Sequence, residues 1–516
     1  MTRRLLNIGV ICLDAGQAAT VTDHIRAITD GSRHHSLVLP VWPHNTLQHI
    51  ELGLFDVLVI HYTIVVKEHT FLLPAVREQI AKFPGLKVAF IQDEYRFVNA
   101  TIDALRELGI RLLFTCVPEG EIEKVYSPER LPGVTVVPVL TGYVPNDLAE
   151  LEVPPYGHRA IDVGYRSRKV PTWLGDLGWE KYIISVKFPE AAARYRLRLD
   201  ISCREEDRIY GEDWIRFIYN CKAFLGVESG ASVFDFTGDI QRQVEAHEDR
   251  EPNVGFEELQ RLYFAEQEGK IRLNQISPRC FEATSLRTLL VLYEGDYSGI
   301  LVPWRHYIPL KKDHSNVDEV VKILLDRRRA ETVIEAAYSE VACNPEYSFA
   351  NFSGRFDHEI ETMISPEGLR RTNPDHVRKE IAAASGRAAL EKMPFPLPAA
   401  GQQVRRVCFR SIAILSGCCY IAFRDIADCP WRAAGCSRSH LRRYFFRCGG
   451  GQRKVPGGHG YIRNCSGFWA ECTRCYQRAA ADDAYRRSFS CIVPTIIFSC
   501  WPGSYANEDG TRGRLP

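Results

Sequence analysis

The chain carries almost no net charge: 65 basic side chains face 64 acidic ones over 516 residues, leaving +1. Composition as a whole therefore makes no electrostatic case for nucleic acid or an anionic membrane, and only local basic patches could. Long hydrophobic runs are absent too. A bilayer crossing needs roughly 20 apolar residues, no run approaches that, and the longest in the tail, 412–423, is interrupted and shorter. Arg3 and Arg4 sit near the start as in a leader, but Asn7 and Asp14 break the apolar stretch and no small-residue cleavage site follows. A first strand is the expectation there. Paired cysteine spacing is missing from the first 395 residues. Cys12, Cys116, Cys203, Cys221, Cys280 and Cys343 are scattered, which suits reduced thiols and a cytoplasmic location.

The usage of residues changes near 395. From Pro396 onward lie 11 of the 17 cysteines, 17 arginines and a single lysine, Lys454. An out-of-frame translation of a GC-rich gene would produce such a break. Cys472-x-x-Cys475, with Cys448, Cys465, His440 and His459 nearby, invites a zinc reading, but a structural zinc site needs a second ligand pair at defined spacing. Residues 396–516 are therefore expected to be a disordered or non-native tail.

The first 150 residues repeat one rhythm. Apolar runs at Leu5–Cys12, Ser36–Val41, Phe55–Tyr62, Leu86–Gln92, Arg111–Val117 and Val134–Leu140 alternate with helical patterns such as Phe71–Phe83 and Asn99–Leu108. Near-continuous apolar strands separated by helices predict a parallel sheet covered on both faces. After the connector Val153-Pro154-Pro155 the rhythm restarts. Ile161–Tyr165, Arg198–Cys203, Ala223–Val227, Thr288–Tyr293 and Tyr307–Leu310 read as strands; Trp214–Cys221, Arg279–Leu286 and Asp318–Arg327 read as helices. The fold class expected is α/β, with two facing Rossmann-like doubly wound domains at 1–150 and 151–345. Terminal helices and a linker should occupy 346–395. A charged insertion at about 238–270 reads either as a lid touching an acceptor or as solvated decoration.

Familiar nucleotide motifs are also lacking. There is no GxGxxG after the first strand, no GxxxxGK[ST], no HExxH and no GxSxG, which weighs against a dinucleotide oxidoreductase, a P-loop NTPase and two hydrolase classes. What is there resembles the GT-B-type glycosyltransferases. The resemblance rests on Asp162-Val163-Gly164-Tyr165-Arg166-Ser167-Arg168, with Lys181 further on, and on Ser277-Pro278-Arg279-Cys280-Phe281-Glu282-Ala283 before an apolar strand. It implies a nucleotide-sugar donor whose diphosphate is neutralised by Arg166, Arg168 and Lys181. Ser277, Arg279 and the adjoining helix start would assist, and Glu282 would bind the ribose. The family's usual first glutamate is replaced by Asn274, and its usual small glycine by Arg287. Glu228-Ser229-Gly230 forms a small-residue turn where a sugar or phosphate can approach.

In the first domain, Gln92-Asp93-Glu94-Tyr95-Arg96 crowds polar groups onto a strand end. An inverting reaction needs a general base for the acceptor hydroxyl; Asp93 and Glu94 are the first candidates and His61, ending another strand, is the second. No Asp-x-Asp triplet suggests a metal clamp, so no metal or other cofactor is expected. The partners expected are a nucleotide-sugar donor and a glycan, lipid or small-molecule acceptor, with no nucleic acid and with peripheral membrane contact left open. The rival reading is a non-catalytic sugar- or nucleotide-binding protein of the same fold.

Overall fold

The computed structural model describes residues 5–13, 18–41, 46–364 and 372–391. The tail expected at 396–516 lies outside the described residues.

Both sheets are wholly parallel. The first holds β1 (Asn7–Cys12), β2 (His35–Pro40), β3 (Val57–Ile60), β4 (Leu86–Ile91), β5 (Leu112–Thr115) and β6 (Thr135–Pro138), in the order β2-β1-β3-β4-β5-β6. The second holds β7 (Ile161–Arg166), β8 (Leu199–Ser202), β9 (Cys221–Gly226), β10 (Leu289–Tyr293) and β11 (Ile308–Leu310), in the order β11-β10-β9-β7-β8. In each, the order reverses beside the first strand. Ligands of open α/β sheets bind at the carboxyl ends around such a reversal.

Helices alternate with the strands: α1 (Ala19–Thr29), α2 (Pro74–Lys82), α3 (Val98–Leu108) and α4 (Ile122–Tyr126) belong to the first lobe. The second lobe carries α5 (Asp176–Ala192), α6 (Gly211–Asn220), α7 (Asp239–Arg250), α8 (Phe256–Leu259), α9 (Pro278–Ser285), α10 (Val317–Leu325) and α11 (Arg327–Ala337). Local chemistry accounts for the boundaries. Gly109 closes α3 in the left-handed region at φ 71°, a conformation that costs glycine little. Every residue of β1 is buried, as a strand covered on both faces requires.

The chain then returns to the first lobe through α12 (Phe349–Thr362) and α13 (Pro374–Glu391). Phe352, Phe356 and Ile360 enter the same core as Phe90 and Phe114, whose rings stack 4.5 Å apart. Asp357 accepts hydrogen bonds from the Ser32 hydroxyl at 2.6 Å and the Arg33 N–H at 2.9 Å. The linker expected after residue 365 needs correction: Val377, Ala384 and Ala388 line one buried face of α13. Alanine-rich composition concealed that stripe, because alanine reads as polar-neutral until its spacing is counted.

The insertion has its own core. Val244, Phe256, Leu259 and Phe264 pack with Trp173, Leu174 and Val233, so it is more than solvated decoration.

The two lobes meet along the carboxyl edges of the sheets. Gln275 Nε2 donates to the Cys116 carbonyl at 2.7 Å, and the Thr141 hydroxyl donates to the Ile276 carbonyl at 2.5 Å. A Cβ on Gly142 would stand 2.9 Å from Pro278 at the start of α9, so glycine permits the approach.

Candidate functional site

The end of β7 splits two arginines by role. Arg166 is engaged by protein on every side: Nε donates to the Asp207 carbonyl (3.1 Å), Nη1 to the Tyr165 and Asp200 carbonyls (2.9 Å each) and Nη2 to the Asp200 carboxylate (2.6 Å). Its guanidinium also stacks 4.5 Å over Phe217. The diphosphate role expected for Arg166 is therefore corrected: four of its five N–H groups are spent on protein acceptors, and it ties β7 to β8. Arg168, two residues on, is exposed and makes no hydrogen bond or ion pair among the described residues.

Arg168 and Arg279 both act electrostatically on Lys181. Burial pushes the half-buried Lys181 ammonium down to about 8; Arg279 and Arg168 press the same way, and Asp93 from the first lobe opposes them. Three cations of the second lobe and one carboxylate of the first thus share one field. Arg279 stands in the first turn of α9, directly after Ser277 and Pro278; Pro278 has no N–H and the Cys280 N–H donates to the Ser277 carbonyl at 2.9 Å, so the charge offered to an anion there comes mainly from the Arg279 side chain. The Ser277 side chain makes no cap bond and stays available at that helix start.

Glu282, one turn further along α9, is buried, and one carboxyl oxygen accepts from Trp214 Nε1 at 2.9 Å. Burial raises it to about 7; Trp214 and Arg279 oppose that shift, whereas Asp23 of α1 adds to it. Trp214 and Asp23 escaped sequence reading because both lie far along the chain and in no motif.

In the first lobe, Asp93 alone of the three base candidates reaches the cleft. It is exposed and accepts from the Tyr95 hydroxyl at 3.2 Å. Glu94 turns inward. Its two oxygens lie 2.7 and 2.5 Å from the Thr115 hydroxyl, one accepts from Cys116 N–H at 2.8 Å, and burial raises the carboxyl to about 8. It is a neutral strut at neutral pH, which corrects its candidacy as base. His61 is fully buried. Its Nδ1 accepts from Thr63 N–H at 3.2 Å, which leaves Nε2 protonated and donating to His24 Nδ1 at 3.0 Å. Burial drives His61 to about 2 and His24 to about 3. That candidacy is corrected as well, since neither ring nitrogen can take a substrate proton.

Glu228 is also a clasp. It accepts from Asp296 N–H (3.0 Å), Tyr297 N–H (2.8 Å) and Asn274 Nδ2 (2.6 Å), so both of its oxygens are held by the protein. Ser229 pairs its backbone with Gln275 through bonds of 2.7 and 3.0 Å, pinning the turn ahead of α9. Among the described residues no cluster of three His, Cys, Asp or Glu side chains could hold a metal ion. A cavity of about 380 Å³ lies at the root of the insertion, lined by Phe234, Asp235, Lys270 and their neighbours. None of the cleft residues described above lines it.

No family model matches the chain, and no curated protein does. Among solved structures it is similar to an alpha-glucosyltransferase in complex with UDP and a 13-mer DNA containing a HMU base, at 11% identity and TM-score 0.43, covering 70% of this chain and 100% of that one. It is similar to HepE of Anabaena with UDP-glucose (9%, TM-score 0.38, 69% and 100%) and to BGT of phage T4 with UDP-glucose (11%, TM-score 0.40, 73% and 99%). One expectation is corrected at this point. Nucleic acid was set aside as a partner on net charge, but several of the similar alpha-glucosyltransferase structures hold DNA, so that exclusion is dropped.

Proposed function

We propose that the chain is a glycosyltransferase that moves a sugar from a nucleotide-diphosphate donor to an acceptor hydroxyl. The observation that carries this reading is Arg279 in the first turn of α9, bonded to the Arg166 carbonyl at the end of β7 and acting on Lys181 together with Arg168 and with Asp93 of the first lobe. A departing nucleoside diphosphate gains negative charge in the transition state, and fixed cations in the cleft stabilise that charge. Asp93 accepts the acceptor's proton in this reading, as the sugar carbon becomes oxocarbenium-like. Glu282 retains one oxygen free of protein partners for the ribose hydroxyls. In this reading side-chain cations, rather than a metal, balance the diphosphate.

The acceptor is open among glycans, lipids, small molecules and nucleic acid. Cys116, Cys203, Cys221, Cys280 and Cys343 are free thiols, which supports a reducing compartment, and no described helix is long and apolar enough to cross a membrane. The test is a panel of nucleotide sugars, each with glycan extract, lipid extract or duplex DNA containing a HMU base, read as released nucleoside diphosphate. Acceptor-dependent release from one donor supports the reading. Tight nucleotide binding with no release from any pairing would favour a binding protein instead.

A further inference from the structure

The segment leading into the insertion of the second lobe, Asp235 and Phe236, takes hold of the loop that carries Asp93. Asp235 N–H donates to the Tyr95 carbonyl at 2.7 Å, Val98 N–H to the Asp235 carbonyl at 3.3 Å, and Asn99 N–H to the Phe236 carbonyl at 3.0 Å. These three bonds form a short parallel strap between segments of different lobes. Side chains reinforce it. The Tyr95 ring lies 6.2 Å from that of Trp173, which is buried in the insertion's core, and the Arg130 guanidinium sits 4.5 Å over Phe236.

Two features show that the strap is shaped for this contact. Phe97 adopts the left-handed region at φ 51°, a strained choice for a bulky residue. Gly238, at φ 83°, packs against it so closely that a Cβ there would stand 2.0 Å from the Phe97 ring. Asp235 also organises its own side of the strap. Its carboxylate accepts from Gly238 N–H at 2.7 Å and Gln241 N–H at 2.9 Å, capping α7. The start of the insertion's helix and the strap are therefore one unit.

At the far end of the strap stands the Tyr95 hydroxyl, which donates to Asp93 at 3.2 Å. We infer that the insertion is a latch and that Tyr95 is a positioning residue: docking of Asp235 and Phe236 onto Tyr95–Asn99 sets the Asp93 carboxylate in the cleft. Asp93 is then correctly aimed only when the two lobes are engaged, so donor-side closure and readiness of the base are coupled. The catalytic arm of this inference rests on the proposed function; the mechanical arm does not.

The experiment has both arms. Gly238→Val, which drives a side chain into Phe97, should make amides of the segment 93–99 exchange with deuterium about tenfold faster or more, whether the strap slips or α7 frays. Unchanged exchange in that segment overturns the latch. Tyr95→Phe keeps the ring and removes only the hydroxyl. It should lower kcat about fivefold to tenfold while the donor KM stays within about twofold, a split that general loosening of the fold would not produce. An unaltered kcat overturns the positioning role of Tyr95. Should the wild-type protein turn over no donor at all, the proposed function fails, and the exchange measurement still decides the latch. If Gly238→Val unfolds the whole chain, the Tyr95→Phe kinetics decide.

Discussion

Arg279 Nη1 donates to the main-chain carbonyl of Arg166 at 2.7 Å, so one arginine is the platform on which the other is held out toward the cleft. The pair divides its work cleanly. Arg279→Ala should weaken nucleoside diphosphate binding by about 1.5–3 kcal/mol, the range for a hydrogen bond to a charged group. Arg166→Ala keeps that carbonyl but strands the Asp200 carboxylate and three backbone acceptors. It should lower folding stability by about 2–4 kcal/mol, with nucleotide affinity of the remaining folded protein near wild type. Calorimetric titration with UDP and a thermal melt on both variants separate the two roles.

Lys181 predicts a pH dependence. Its ammonium is held down to about 8 by burial and by Arg279 and Arg168. A lysine with a lowered pKa loses its charge as pH rises through that value, and the anionic donor then loses a partner. Donor KM should rise about tenfold between pH 7 and pH 9.5, since one charge-assisted contact of about 1.4 kcal/mol is a factor of ten. Lys181→Met should have the high KM at every pH in that window. Initial rates over a pH series check both.

Glu282 and Trp214 form a single recognition unit. Trp214→Phe leaves the raised, buried carboxyl without its indole partner and should cost nucleotide binding about 1 kcal/mol or more. Glu282→Ala should cost more, because the ribose hydroxyls then face no acceptor. Equal UDP affinity in Glu282→Ala and wild type would remove the ribose role. A nucleoside-monophosphate competition series, run alongside, shows whether the loss lies at the ribose.

Glu94 links the first lobe's stability to pH. Its folded value, about 8, stands above the ordinary carboxyl value of 4.5. The folded state therefore holds a proton that the unfolded state has lost, and stability falls as pH rises from about 4.5 to about 8. Glu94→Gln keeps the shape and removes the titration. The variant should show a shallower loss of stability between pH 5 and pH 8, by about 2–4 kcal/mol. Urea unfolding at the two pH values measures the difference.

Much of the architecture was legible because parallel strands buried on both faces leave a nearly unbroken apolar signature, and all eleven were expected close to where they stand. Helices were read less completely. α5 was missed although it presents Lys181, because Pro189 and aromatic residues blur its period. α13 reads as a linker because alanine carries little apolar signal. The site was half visible: a polar cluster at a strand end marks a place where something happens, but not which residue points outward. Glu94 and Asp93 are neighbours, and only Thr115 and Cys116, distant in sequence, turn the first inward. Arg166 and Glu228 are likewise consumed by partners that no local motif encodes.

Asp93→Asn tests the central claim most directly, since it keeps the size of the side chain and removes only the charge that can take a proton. With the best donor and acceptor found in the panel, sugar transfer should fall about a hundredfold or more, while UDP binds within about twofold of wild type. Transfer at the wild-type rate would contradict the account, because the cations of the second lobe would then face no base in the first.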